Sequence, residues 1–86
     1  MVSIERLITE VVHIKQDSEQ LSQMTCAAGD NLQQTNNHIA ALVRGSSSGQ
    51  EAVISVSQAA RSLKEAAVSM KQLSRICQEC ASNLAK

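Results

Sequence analysis

The chain has 86 residues, eight basic against eight acidic, and no Phe, Trp, Tyr or Pro. That length suits one small domain, and the balanced charge with no aromatics argues against a nucleic-acid-binding surface. No apolar run approaches the ~20 residues needed to span a bilayer.

A core without aromatics is built from Leu, Ile, Val, Met and Ala, which bury less area each, so it is thin. The missing Pro removes the strongest helix breaker, and Ala, Leu, Gln, Glu and Lys favour helix. The expected fold is all-α: an antiparallel two-helix hairpin over residues 1–86, pairing into a four-helix bundle. The first segment, Met1-Val2-Ser3-Ile4-Glu5-Arg6, lacks the charged-then-apolar layout of a signal peptide. The expectation is a protein made in the cytoplasm and, if exported, exported without a cleaved signal.

Helix 1 is expected over about 3–43. Its apolar residues repeat every seven positions in two series. One is Ile4, Val11, Ser18, Thr25, Leu32, Ile39; the other is Leu7, Ile14, Leu21, Ala28, Thr35, Leu42. Nine of these twelve are apolar, which predicts an a/d seam along one amphipathic helix. Gly29 falls mid-helix, where glycine costs about 1 kcal/mol relative to Ala, and it is read as a candidate kink.

The turn is expected over about 44–49. Gly45 suits a left-handed helix cap. Ser46, Ser47 or Ser48 can start the next helix, and Ser48 with Glu51 has capping-box spacing. Helix 2 is expected over about 50–84. Its two series are Val53, Ala60, Ala67, Ser74, Ala81 and Val56, Leu63, Met70, Cys77, Leu84. A flanking stripe of Ala52, Ala59, Ala66, Leu73 and Cys80 widens the apolar face.

Charge agrees with the hairpin. Residues 1–43 carry two cations against five acids, net −3; residues 50–86 carry five cations against three acids, net +2. Folding about Ser47 brings residue i opposite roughly 94 − i. The internal seam is expected from Leu7, Ile14, Leu21, Leu32, Ile39, Leu42, Val56, Leu63 and Met70. Other apolar residues, Val2, Ile8, Val12, Met24, Ile54, Val68 and Ile76, fall off that seam. Of these Ile8, Val12, Met24, Ile54, Val68 and Ile76 are expected to form a face that docks a second hairpin, as either a homodimer or a heterodimer.

Catalytic and metal chemistry find little support. Cys77-Gln78-Glu79-Cys80 is a CxxC, and the fold register brings His13 near Cys80, but there is no second CxxC and Cys26 lies far away. Cys77 on the seam is expected to act as a small hydrophobe. No acid is placed to orient His13 or His38 beside a nucleophile. Ser46–Ser48 lack the Gly-Lys-Ser/Thr ending of a phosphate loop. No catalytic residue, cofactor or metal is expected.

The stretch from Ala40 to Ala52, AALVRGSSSGQEA, resembles the turn of the WXG family, the small helical hairpins of bacterial type VII secretion. Val43-Arg44-Gly45 stands where that family has Trp-x-Gly; Gly45 matches and Val43 replaces the Trp. The family's Tyr-x-x-x-Asp/Glu export signal has no counterpart, because the chain has no Tyr. The resemblance implies a small type VII secretion protein, acting as a secreted hairpin or as a targeting partner for the N-terminal helical domain of an LXG-type toxin. The alternatives are a cytoplasmic coiled-coil adaptor and a chemoreceptor-like signalling hairpin, to which Gln34-Thr35-Asn36 is faintly similar.

Overall fold

The structure, a computed structural model, describes residues 3–86. Val2, counted above among the off-seam apolar residues, lies outside them. Two helices account for nearly all of the rest: α1 over Ile4–Leu42 and α2 over Ser47–Leu84. They pack antiparallel as a helical hairpin, a rod measuring 63 × 19 × 14 Å. Helices of 39 and 38 residues rising about 1.5 Å per residue give that long axis.

Each helix begins on a serine. The Ser3 side chain accepts the Arg6 N–H at 3.1 Å, and the Ser46 side chain accepts the Gly49 N–H at 3.2 Å. Both bonds satisfy an N–H that has no partner within the helix. Of the three serines offered as caps the structure uses Ser46 and not the Ser48–Glu51 capping box: α2 starts at Ser47, so Ser48 and Glu51 lie inside it.

The turn is tight. The Ser46 N–H donates to the Val43 carbonyl at 3.0 Å, and Gly45 between them has φ +87°. That backbone region penalises any residue with a Cβ. Gly49 is needed for a different reason. A Cβ built there would sit 2.7 Å from Val43 Cγ2, so Val43 folds back onto the first turn of α2 only because Gly49 leaves room.

The seam on α2 matches the heptad reading. Ala60, Ala67, Ser74, Cys77 and Ala81 are buried, and Val53, Val56, Leu63, Met70 and Leu84 are half-buried. On α1 one series is correct and the other is not. Val11, Ser18, Thr25, Leu32 and Ile39 face α2, but their companions are Ile8, Lys15, Ser22, Gly29, Asn36 and Val43. Leu7, Ile14, Leu21 and Leu42, assigned above to the internal seam, are exposed.

The reason is how closely the helices approach. Gly29 does not kink α1, which runs unbroken; it lies buried against α2. A Cβ at Gly29 would meet Ala60 O at 3.3 Å and Lys64 Cγ at 3.1 Å. Nearby, Ser22 Oγ donates across the seam to the Ala67 carbonyl at 2.7 Å. A bulky side chain at these closest points would force the backbones apart, so Ser, Gly, Asn and Ala occupy them and the Leu7, Ile14, Leu21 series is left outside.

Candidate partner interface

Three cross-helix contacts fix the register. Glu19 accepts from Ser74 Oγ at 3.1 Å, Lys64 pairs with Asp30 at 2.6 Å, and Asn36 Nδ2 donates to Ser57 Oγ at 2.9 Å and to the Val53 carbonyl at 3.1 Å. Heptad spacing then sets Ile14 level with Cys80, Leu21 with Leu73, Ala28 with Ala66, Thr35 with Ala59 and Leu42 with Ala52.

The two long sides of the rod differ. One side is a shallow groove lined by Lys15, Glu19, Asp30, Lys64, Lys71 and Arg75 among others. Lys15 pairs with Glu19 at 3.6 Å and Lys64 with Asp30. The Asp30 carboxylate, by hydrogen bond and by charge, holds the Lys64 amine above its usual range. Among the described residues Lys71 and Arg75 have no ion-pair partner. This side is polar and net basic.

The opposite side is apolar. It carries the displaced α1 series, with Ile14 48 % and Leu21 49 % exposed, and the Ala52, Ala59, Ala66, Leu73, Cys80 stripe of α2, with Leu73 45 % exposed. Heptad position puts Met24 and Ile76, both exposed, at its outer edges. The charged residues on this face and its edges are Glu10 and Asp17. Five of the chain's cations (Lys15, Arg61, Lys64, Lys71 and Arg75) lie in or beside the groove on the other side.

The six residues expected to form a docking face are not brought together. Ile8 and Val12 are half-buried, drawn in toward the seam. Ile54 and Val68 are exposed on the α2 stripe that carries Arg61 and Arg75, and Val68 lines the groove. Only Met24 and Ile76 border the apolar face. Leu7, Ile14 and Leu21 were missed as surface residues because they form the most hydrophobic heptad series of α1. The signal that could have moved them outward was Ser22, Gly29 and Asn36, small or polar residues in a second, competing register.

Val43, Arg44 and Gly45 form the turn, with Val43 half-buried against Gly49 and Arg44 exposed. The three cysteines are free thiols; Cys77 is buried and Cys26 and Cys80 are exposed. Among the described residues no group of three His, Cys, Asp or Glu side chains is placed to hold a metal ion. Neither helix is long and apolar enough to cross a membrane.

No family model, curated protein or solved structure matches this chain.

Proposed function

We propose that this hairpin is a non-catalytic pairing protein of the WXG-like type VII secretion class, acting as a secreted hairpin or as a targeting partner for an LXG-type toxin. Its chemistry is burial. The observation that carries the reading is the continuous apolar face of Leu7, Ile14, Leu21 and Leu73, left exposed on a rod whose closest helix–helix contacts are made by small and polar residues. A thin two-helix rod of this size gains little from its own core, and docking another hairpin on that face completes a four-helix bundle. The Val43-Arg44-Gly45 turn adds the family likeness, since Gly45 takes the conformation that requires glycine.

The reading places the protein in the cytoplasm until it is paired and then exported folded. The test is co-expression with the N-terminal helical domain of an LXG toxin in bacteria with and without the type VII secretion ATPase. A co-purifying complex and export that depends on the ATPase are expected. A chain that neither joins the toxin domain nor leaves cells carrying the ATPase sinks the secretion reading.

A further inference from the structure

Arg61, Val68 and Arg75 follow one another at seven-residue intervals along α2, with Lys64 and Lys71 beside them, so all five make one stripe on the polar side of the rod. All five are exposed. Lys64 is engaged by Asp30, but Arg61, Lys71 and Arg75 join none of the ion pairs among the described residues. Two hollows share Lys64 and Val68, so the groove beside the stripe is continuous from Gln78 to Ser57. We propose that this groove binds an extended acidic peptide of another protein. The proposal concerns the side of the rod away from the apolar face, and it rests on neither the pairing nor the secretion reading.

The groove favours a peptide over other anions. Carboxylates sit inside it beside the cations: Glu19 accepts from Ser74 and pairs with Lys15, Asp30 pairs with Lys64, and Glu65 stands near Arg61. A continuous phosphate polymer or a flat anionic membrane would be pressed against these acids, and like charges that close repel. A peptide carries its charge only at chosen residues. Val68 is 58 % exposed between Arg61 and Arg75, which suits an apolar side chain between two carboxylates. Gln23, Gln33 and Gln78 line the groove. Gln33 and Gln78 each use one amide N–H within their own helix, which leaves a second N–H and the oxygen free. These amides can pair with the N–H and C=O groups of an extended backbone. A helix bonds its own backbone internally and has no use for them.

The spacing sets the motif. Seven residues of α2 rise about 10 Å, at roughly 1.5 Å each. A chain in the polyproline II conformation has about three residues per turn and rises about 9 Å per turn, so every third side chain faces the same way at nearly the same interval. Laid along the stripe, it places Asp or Glu opposite Arg61, an apolar residue opposite Val68 and a second Asp or Glu opposite Arg75. The mismatch of about 2 Å over both steps lies within the reach of the long arginine side chains. Lys71, between Val68 and Arg75, adds a second cation for the second carboxylate.

The test is fluorescence anisotropy of the reduced full-length chain with the labelled peptide Glu-Ser-Gln-Leu-Ser-Gln-Glu. Binding is expected, and it should weaken as salt rises from about 50 to about 500 mM. A shuffled peptide with its two Glu adjacent should bind several-fold more weakly. The double variant Lys71→Glu with Arg75→Glu should lose the acidic peptide roughly tenfold or more. It should instead take the peptide with Lys in place of both Glu, which the parent rejects. Both positions are exposed, and circular dichroism checks that helix content is kept. Leu21→Ser, on the apolar side, should leave peptide binding unchanged, so failure here and failure of the pairing reading are separate results. No binding by the parent, equal binding of the shuffled or the basic peptide, or a double variant that still holds the acidic peptide overturns the proposal. So does inorganic polyphosphate or a phosphatidylglycerol vesicle that binds the parent as tightly as the peptide, because either would mark a general anion surface.

Discussion

Asn36 is the most completely buried side chain, 1 % exposed. Its amide nitrogen is satisfied by Val53 O and Ser57 Oγ, while its Oδ1 has no partner. A buried polar contact of this kind fixes helix register at some cost in stability. Replacing the amide with a carboxylate keeps the shape but turns the donor toward Val53 O into a buried negative charge. Asn36→Asp should cost about 3 kcal/mol or more at pH 7, with stability recovering as the pH falls and the carboxyl becomes protonated. Thermal melts at pH 4 and 7 decide this; equal losses at both would contradict it. Gly29 carries the complementary lesson. Gly29→Val gains a few tenths of a kcal/mol in helix propensity but wedges a branched side chain against Ala60 O, so it should destabilise on balance by about 1–3 kcal/mol in a denaturant titration. A kink glycine would tolerate the same change, so a neutral result would restore that reading.

At the scale of the element, the two helices are delimited by their serine caps and by one left-handed glycine. Ser46→Ala removes the acceptor for the Gly49 N–H and should cost about 1 kcal/mol. Ser48→Ala should lie within about 0.5 kcal/mol of the parent, because Ser48 is exposed inside the first turn. The reverse order in chemical denaturation would mean α2 starts where the capping-box spacing put it. The existence, length and direction of both helices, and the full seam of α2, were legible in the heptads. The phase of α1 was not. Two neighbouring series compete on that helix, and a single-helix pattern ranks them by hydrophobicity, whereas packing ranks them by how closely the backbones can come.

For the whole molecule the consequence is a rod with a polar, basic side and an apolar side. The Lys64–Asp30 pair clips the polar side. Because folding raises the Lys64 pKa, its contribution is fully present below the ordinary lysine value of 10.5 and is lost as the pH rises through the raised one. Stability should therefore carry no dependence on this lysine between pH 7 and 9 and should decline above pH 10.5. Asp30→Asn should reduce that alkaline decline; parallel melts at pH 8 and pH 11.5 test it, and identical declines would exclude the pair as its source. The proposed pairing through the apolar side would make stability a matter of concentration. A hairpin that gains most of its burial by pairing should melt higher as protein concentration rises, by mass action. A melting temperature that does not move across a hundredfold range would show the single rod to be self-sufficient.

The sequence by itself determined that this protein is helical, that it folds back once at Gly45, and that it has more apolar surface than one thin seam can bury. Composition and period suffice for these, because helix propensity, capping and turn chemistry act over a few residues. Only the tertiary structure decided which apolar residues stay outside. That choice depends on Gly29, Ser22, Ala60 and Ala67 meeting across the seam, a contact between residues some 30 to 45 positions apart. Leu7, Ile14, Leu21 and Leu73 are exposed because the small residues between the helices leave no space for them.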